Sequence, residues 1–225
     1  MKKVVGSFII ATLLFASPAF ATPLPQAEIA SANQSQASKT IRNSIFNLSD
    51  QQMKNAIKIG NGGRSSYVNF KSSQEFSILY DKMKIWQPEV SLITPYSLIV
   101  GQSYIASNKY KEYTLADAKK VKKMFSNDET LTFNVTAYGN DIDFASNINI
   151  VLKQGAKIYQ PLSIDGLDEM ADTTVSWPDS PAYSNSLMPS FDINKIDFSK
   201  PAELIYLYAG KELSVTYKVD FSKIK

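Results

Sequence analysis

The chain contains no cysteine and no histidine, so its reactive side chains reduce to hydroxyls, carboxylates, lysines and aromatic rings. Without a thiol there is no disulfide, no thiolate nucleophile and no cysteine-ligated metal. Without an imidazole there is no Ser-His-Asp or Cys-His catalysis, no histidine-ligated zinc or haem, and no proton shuttle poised near neutral pH. Serine nucleophiles that need no histidine fail on spacing. The single Ser-x-x-Lys, Ser222 to Lys225, has no Ser-Asp-Asn or Lys-Thr-Gly companion, and Gly101-Gln102-Ser103 runs into Tyr104-Ile105 instead of closing a Gly-x-Ser-x-Gly elbow.

Carboxylates are the remaining route to catalysis, because a glycosidase needs only two acids across a cleft. Asp165, Asp168, Glu169 and Asp172 cluster in sequence, as do Asp141 and Asp143. The plainer reading is acids solvated on loops. The same cluster could offer oxygens to calcium, yet Ser163-Ile164-Asp165-Gly166-Leu167-Asp168 lacks the alternating acids and closing Glu of an EF-hand loop.

Two further motifs invite anions. Gly60-Asn61-Gly62-Gly63-Arg64 is glycine-rich, but it follows a helical pattern and lacks the Gly-Lys-Ser/Thr ending of a phosphate loop, so it reads as a helix-stop turn. Lys109, Lys111, Lys119, Lys120, Lys122 and Lys123 concentrate charge around one internal helix, whose polar face is almost wholly basic and would suit lipid headgroups or a wall polymer; with no Arg among them, a solubilising face is the simpler reading.

Aromatic rings supply the best binding candidates. Trp177 and Tyr183 lie in a Ser-, Pro-, Asn- and Asp-rich stretch, 172–189, and a loop of that length in a compact domain is usually functional or disordered. Trp177 and Tyr183 would offer stacking faces to a sugar or peptide, with Pro178 and Pro181 limiting the entropy lost on binding; folding back to pin the loop is the competing reading. Trp86, beside Pro88, is a third platform if it is not a core residue.

The elements that must position these residues follow an export signal. Lys2 and Lys3 precede an apolar run over 4–15 and an Ala19-Phe20-Ala21 cleavage site, so a secretory leader over 1–21 is expected, with Thr22 as the new N-terminus and no membrane span after cleavage. Lys2 and Lys3 also supply two of the three net positive charges, which removes a general argument for nucleic-acid binding. Two basic residues and an A-x-A site suit a bacterial periplasmic or secreted protein.

A flexible and helical segment is expected over 22–63, with apolar spacing over 41–59 and a capping box at Ser49 and Gln52. A β-sandwich domain is expected over 64–225, with strands at 67–71, 76–80, 91–93, 97–106, 130–138, 147–153, 202–209 and 213–220. Gly210-Lys211 suits a type II′ hairpin, which turns Leu213, Val215, Tyr217 and Val219 toward the core. One amphipathic helix interrupts the strands, capped by Thr114 and carrying Leu115, Ala118, Val121 and Phe125 on its apolar face.

The expected fold class is therefore mainly β within α+β: an immunoglobulin-like antiparallel sandwich with an N-terminal helical segment and one inserted helix. The expected function is that of an exported, non-enzymatic protein that binds a carbohydrate or another envelope protein through loops at one end. No cofactor or metal site is expected, and no nucleic acid. The alternatives are a carbohydrate-active enzyme with paired carboxylates, or an envelope structural subunit presenting a long unpaired edge strand.

Overall fold

A computed structural model describes residues 26–126 and 129–225, so the expected leader lies outside the described residues. Three helices open the described chain: α1 (Gln26–Phe46), α2 (Asp50–Asn61) and α3 (Gly63–Gln74). The helical spacing over 41–59 is broken at 47–49, where Ser49 starts a new helix. Its hydroxyl accepts from the Gln52 amide at 3.3 Å while the Gln52 side chain accepts from the Ser49 amide at 2.8 Å, the expected capping box.

Strands β1 (Ile78–Asp81) and β2 (Glu89–Leu92) follow, then helices α4 (Pro95–Asn108) and α5 (Leu115–Ser126). The strands expected at 67–71 and 97–106 are thus helical, and two helices rather than one separate β2 from the next strand. The fold is mixed α+β with two antiparallel sheets, not mainly β. Sequence logic for α4 lies at its start: Thr94 caps Ser97 at 3.0 Å and Pro95 occupies the first turn, where a missing N–H costs nothing. On α3, Tyr67 and Phe70 recur at helical spacing and pack against the helical core.

The rest of the chain is β3 (Thr130–Gly139), β4 (Ile148–Gln154), β5 (Lys157–Tyr159), β6 (Ser163–Asp165), β7 (Asp172–Thr173), β8 (Tyr183–Asp192), β9 (Ala202–Tyr208) and β10 (Ser214–Val219). One sheet runs β1-β10-β9-β4-β5 and the other β2-β3-β8-β6, with β7 added to β8. Their facing sides bury Leu131, Phe133, Val135, Leu187 and Phe191 against Ile150, Leu204, Tyr206, Val215 and Tyr217. A second core lies among the helices around Met53, Ile99, Val100 and Val121. Helix α1 bridges the two: Ile45 joins the sandwich core, and Phe46 stacks on Phe125 of α5 and meets Phe198 edge-on.

The hairpin β9–β10 pairs antiparallel as expected, Val215 opposite Tyr206. Its loop, 209–212, is longer than a two-residue turn, with both Ala209 and Gly210 at positive φ. Val215, Tyr217 and Val219 face the core, but Leu213 stands outside the strand and is exposed.

Strand β8 occupies the stretch expected to be a loop. Asn185, Leu187, Pro189 and Phe191 are buried and alternate with exposed or half-buried residues. Pro189 hid this from sequence reasoning, because a proline in a central strand lacks the donor a ladder needs. The strand tolerates it by a gap: pairing with β3 resumes in the same register on either side, at Thr132–Ser190 and Val135–Leu187.

Candidate ligand-binding end

Strand direction collects four segments at one end of the sandwich: 82–88, 140–147, 166–182 and the 209–212 hairpin loop. Hydrogen bonds hold them together. The Trp86 indole N–H donates to the Ser180 hydroxyl at 3.1 Å, Ala182 N–H donates to the Asn140 side chain at 3.2 Å, and Ala171 N–H donates to the Ile142 carbonyl at 3.0 Å. Ala209 N–H reaches the Asn147 carbonyl at 3.1 Å.

Within 174–182 the backbone is braced further. Thr174 N–H donates to the Ala182 carbonyl at 2.9 Å, the Thr174 hydroxyl donates to the Pro181 carbonyl, and Trp177 N–H returns to the Thr174 carbonyl at 3.2 Å. The Asp81 carboxylate organises the facing loop by accepting from Lys84 N–H and the Gln87 amide, each at 2.8 Å.

On this braced frame the apolar side chains point outward. Trp177 is 56% exposed and Met170 82%, and Val175 is fully exposed; Ile85 and Ile142 are exposed as well. Burial of those side chains in the sandwich would have been favourable, at roughly 1.5–3 kcal/mol for a large aliphatic or aromatic group, and the fold leaves them in water. Segments 140–147 and 166–182 also carry six Asp and Glu and no Lys or Arg.

The three sequence candidates fall in different places. Trp177 stands on the outer loop, and Trp86 is half-buried at φ 51°, its ring edge tied to that loop through Ser180. Tyr183 is not a loop residue: it opens β8 opposite Gly139 and packs against the sandwich core. The structure therefore brings Trp86 and Trp177 to one end and takes Tyr183 inward.

Among the described residues, no group of three or more carboxylates is placed to hold a metal ion. Asp165 is on β6 and Asp172 on β7, at separate positions along β8. A carboxylate pair that sequence reasoning missed is Glu75 and Glu89. Burial, and then the Glu89 carboxylate, raise the Glu75 carboxyl above its ordinary range. Burial and Glu89, which accepts the Tyr138 hydroxyl at 3.1 Å, push that phenol up to about 12. Glu89 also pairs with Lys71 at 3.2 Å, so its oxygens are already engaged.

Three of the six lysines around this helix are engaged within the fold. Lys119 pairs with Asp50 at 2.8 Å, Lys122 donates to the Leu48 carbonyl at 2.7 Å and Lys120 pairs with Asp117 at 2.9 Å. The first two contacts fasten α5 to the start of α2, and the third lies within α5. Among the described residues no helix is long and apolar enough to cross a membrane. No protein-family model, no curated protein and no solved structure matches this chain.

Proposed function

We propose that the protein is an exported bacterial interaction protein, periplasmic or secreted, that docks a partner protein on the loop end of its sandwich. The observation that carries this reading is the solvent exposure of Trp177 and Val175 on a loop braced by its own hydrogen bonds, with Met170 exposed in the segment before β7. A rigid loop loses little conformational entropy on binding, and outward aromatic and long aliphatic groups are what protein hot spots use. The use of end loops is that of an immunoglobulin-like sandwich.

Carbohydrate is the weaker partner on chemistry. Sugar rings stack on flat aromatic faces, whereas the other exposed apolar groups of these end segments, Ile85, Ile142, Met170 and Val175, are branched or flexible chains. The acids of 140–147 and 166–182 favour a partner with a basic rim around an apolar centre. A polymerising envelope subunit would want a long open strand edge, and the edge strands β1, β2, β5 and β6 have three or four residues each. The leader supports export, with Thr22 as the expected mature N-terminus.

A photo-crosslinking residue at Val175, introduced in the producing cell, tests the reading. One discrete adduct is expected from Val175 and none from the same residue placed at Lys200, at the opposite end. Equal labelling from both positions, or no adduct from Val175, overturns it.

A further inference from the structure

Two helical glycines, Gly60 on α2 and Gly101 on α4, differ in their surroundings. A Cβ at Gly60 would lie 1.9 Å from the Ser103 hydroxyl and 2.5 Å from the Val100 carbonyl, so that glycine lets α2 approach α4. A Cβ at Gly101, in the middle of α4, would meet nothing within 4 Å. Its backbone is helical and its φ is not positive. A glycine there weakens the helix relative to alanine with no return in close packing or turn geometry.

Gly101 instead lines a groove of about 380 Å³ between α3, α4 and the outer face of the β2–β3–β8 sheet. Ligand clefts span about 300–1,000 Å³ and are mostly apolar with a few placed polar groups. Here Tyr67, Phe70, Leu98, Ile105 and Met188 form the apolar walls. Tyr67 is held rigid by a parallel stack on Tyr104 at 4.3 Å. The polar floor comes from Ser91 and Asn134, paired across β2 and β3. The Asn134 carbonyl oxygen accepts from Ser186 at 3.3 Å, while among the described residues its amide N–H groups and the Ser91 hydroxyl have no partner. The one cation at the rim, Lys71, is already neutralised by Glu89 at 3.2 Å.

From this we infer that the α3–α4 groove, kept open by Gly101, is a second binding site, for an uncharged small molecule with an apolar body and a hydrogen-bond acceptor such as a carbonyl. The cancelled charge at Lys71 leaves nothing to attract an ionic group, and the free donors on Asn134 and Ser91 ask for an acceptor. The site stands apart from the loop end and does not depend on the partner proposed there.

The test uses prodan, an uncharged naphthalene bearing one ketone, whose emission shifts to the blue in apolar surroundings. The full protein should bind it saturably at one site. Gly101→Leu should weaken binding at least about tenfold, about 1.4 kcal/mol, while the melting temperature holds or rises, because a Cβ there meets nothing within 4 Å and leucine is the better helix former. Ile105→Glu, at an exposed position, should do the same and guards against a folding effect of the first variant. Asn134→Ala should weaken prodan several-fold, Trp177→Ala should leave it unchanged, and the anionic probe anilinonaphthalene sulfonate should bind more weakly than prodan. Unchanged binding in Gly101→Leu and Ile105→Glu overturns the site; sulfonate binding as tight as prodan, lost in the same variants, overturns the uncharged ligand class.

Discussion

The Tyr217 hydroxyl on β10 donates to the Pro88 carbonyl, tying the middle of one sheet to the residue that leads into β2 of the other. One strand away, the Tyr206 hydroxyl is equally buried and has no hydrogen-bond partner among the described residues. Two tyrosines in one core thus sit in opposite states, and removing each hydroxyl should have opposite effects. Tyr217→Phe strands the Pro88 carbonyl and should cost about 1–3 kcal/mol, whereas Tyr206→Phe deletes an unpaired polar atom and should be neutral or stabilising. Urea denaturation of the two variants checks this. A loss in Tyr206→Phe comparable to that in Tyr217→Phe would show that the Tyr206 hydroxyl is satisfied in solution.

Gly60 and Gly101 give a second paired expectation. Gly60→Ala must push α2 off α4, and overpacking of this kind typically costs about 1–3 kcal/mol. Gly101→Ala enters open space and should gain about 0.5–1 kcal/mol from helix propensity alone. Thermal melts of both single variants read the sign directly.

Asp117 predicts how acid affects the helical layer. A hydrogen bond from Lys120, then those from the Thr114 side chain and backbone, lower its carboxyl from 3.8 to about 2 in the folded state. A depressed folded value means the contribution is fully present above the unfolded value and is lost as pH falls from about 4 toward 2. Asp117→Asn should therefore be less stable than the parent at pH 7, and the gap should close across that window. Denaturation midpoints collected from pH 7 down to pH 2 test it; a gap that stays constant would remove Asp117 from the acid response.

The parts of the fold legible in the sequence were those encoded locally. Ser49 with Gln52 and Thr114 with Asp117 announce helix starts within four residues, and Leu131-Thr132-Phe133-Asn134-Val135 alternates because one face is buried and the other is not. Helix α4 reads as a strand in sequence because Tyr96, Ile99, Val100 and Ser103 are buried, which leaves an apolar run without a clear polar stripe. The signal that identifies it is the Thr94-Pro95 start rather than the run. Likewise β8 was concealed by Pro189, whose missing donor is absorbed by a gap in the ladder. Of the candidate site, Trp177 and Trp86 could be named from their residue types, but their shared end depends on the order of ten strands. The groove depends on Tyr67, Gly101, Asn134 and Met188, which the chain brings together from four separate elements.

Trp177 offers the most direct test of the loop end, because burial and exposure make opposite demands on the same substitution. Truncating a buried tryptophan typically costs roughly 3–5 kcal/mol, whereas substitutions at exposed positions usually stay within about 0.5 kcal/mol. With the ring 56% exposed and the loop held instead by Thr174, Pro181 and Ala182, Trp177→Ala should leave the melting temperature nearly unchanged. Thr174→Val, which removes the hydroxyl that donates to Pro181 while keeping the side-chain shape, should loosen the loop and speed amide hydrogen exchange at 174–182 without touching Trp177. If display by a rigid loop is what matters, both variants lose the crosslink from Val175, the first through the missing anchor and the second through the missing brace. A melting temperature that drops steeply in Trp177→Ala would make the ring a structural pin and remove this loop as the docking surface.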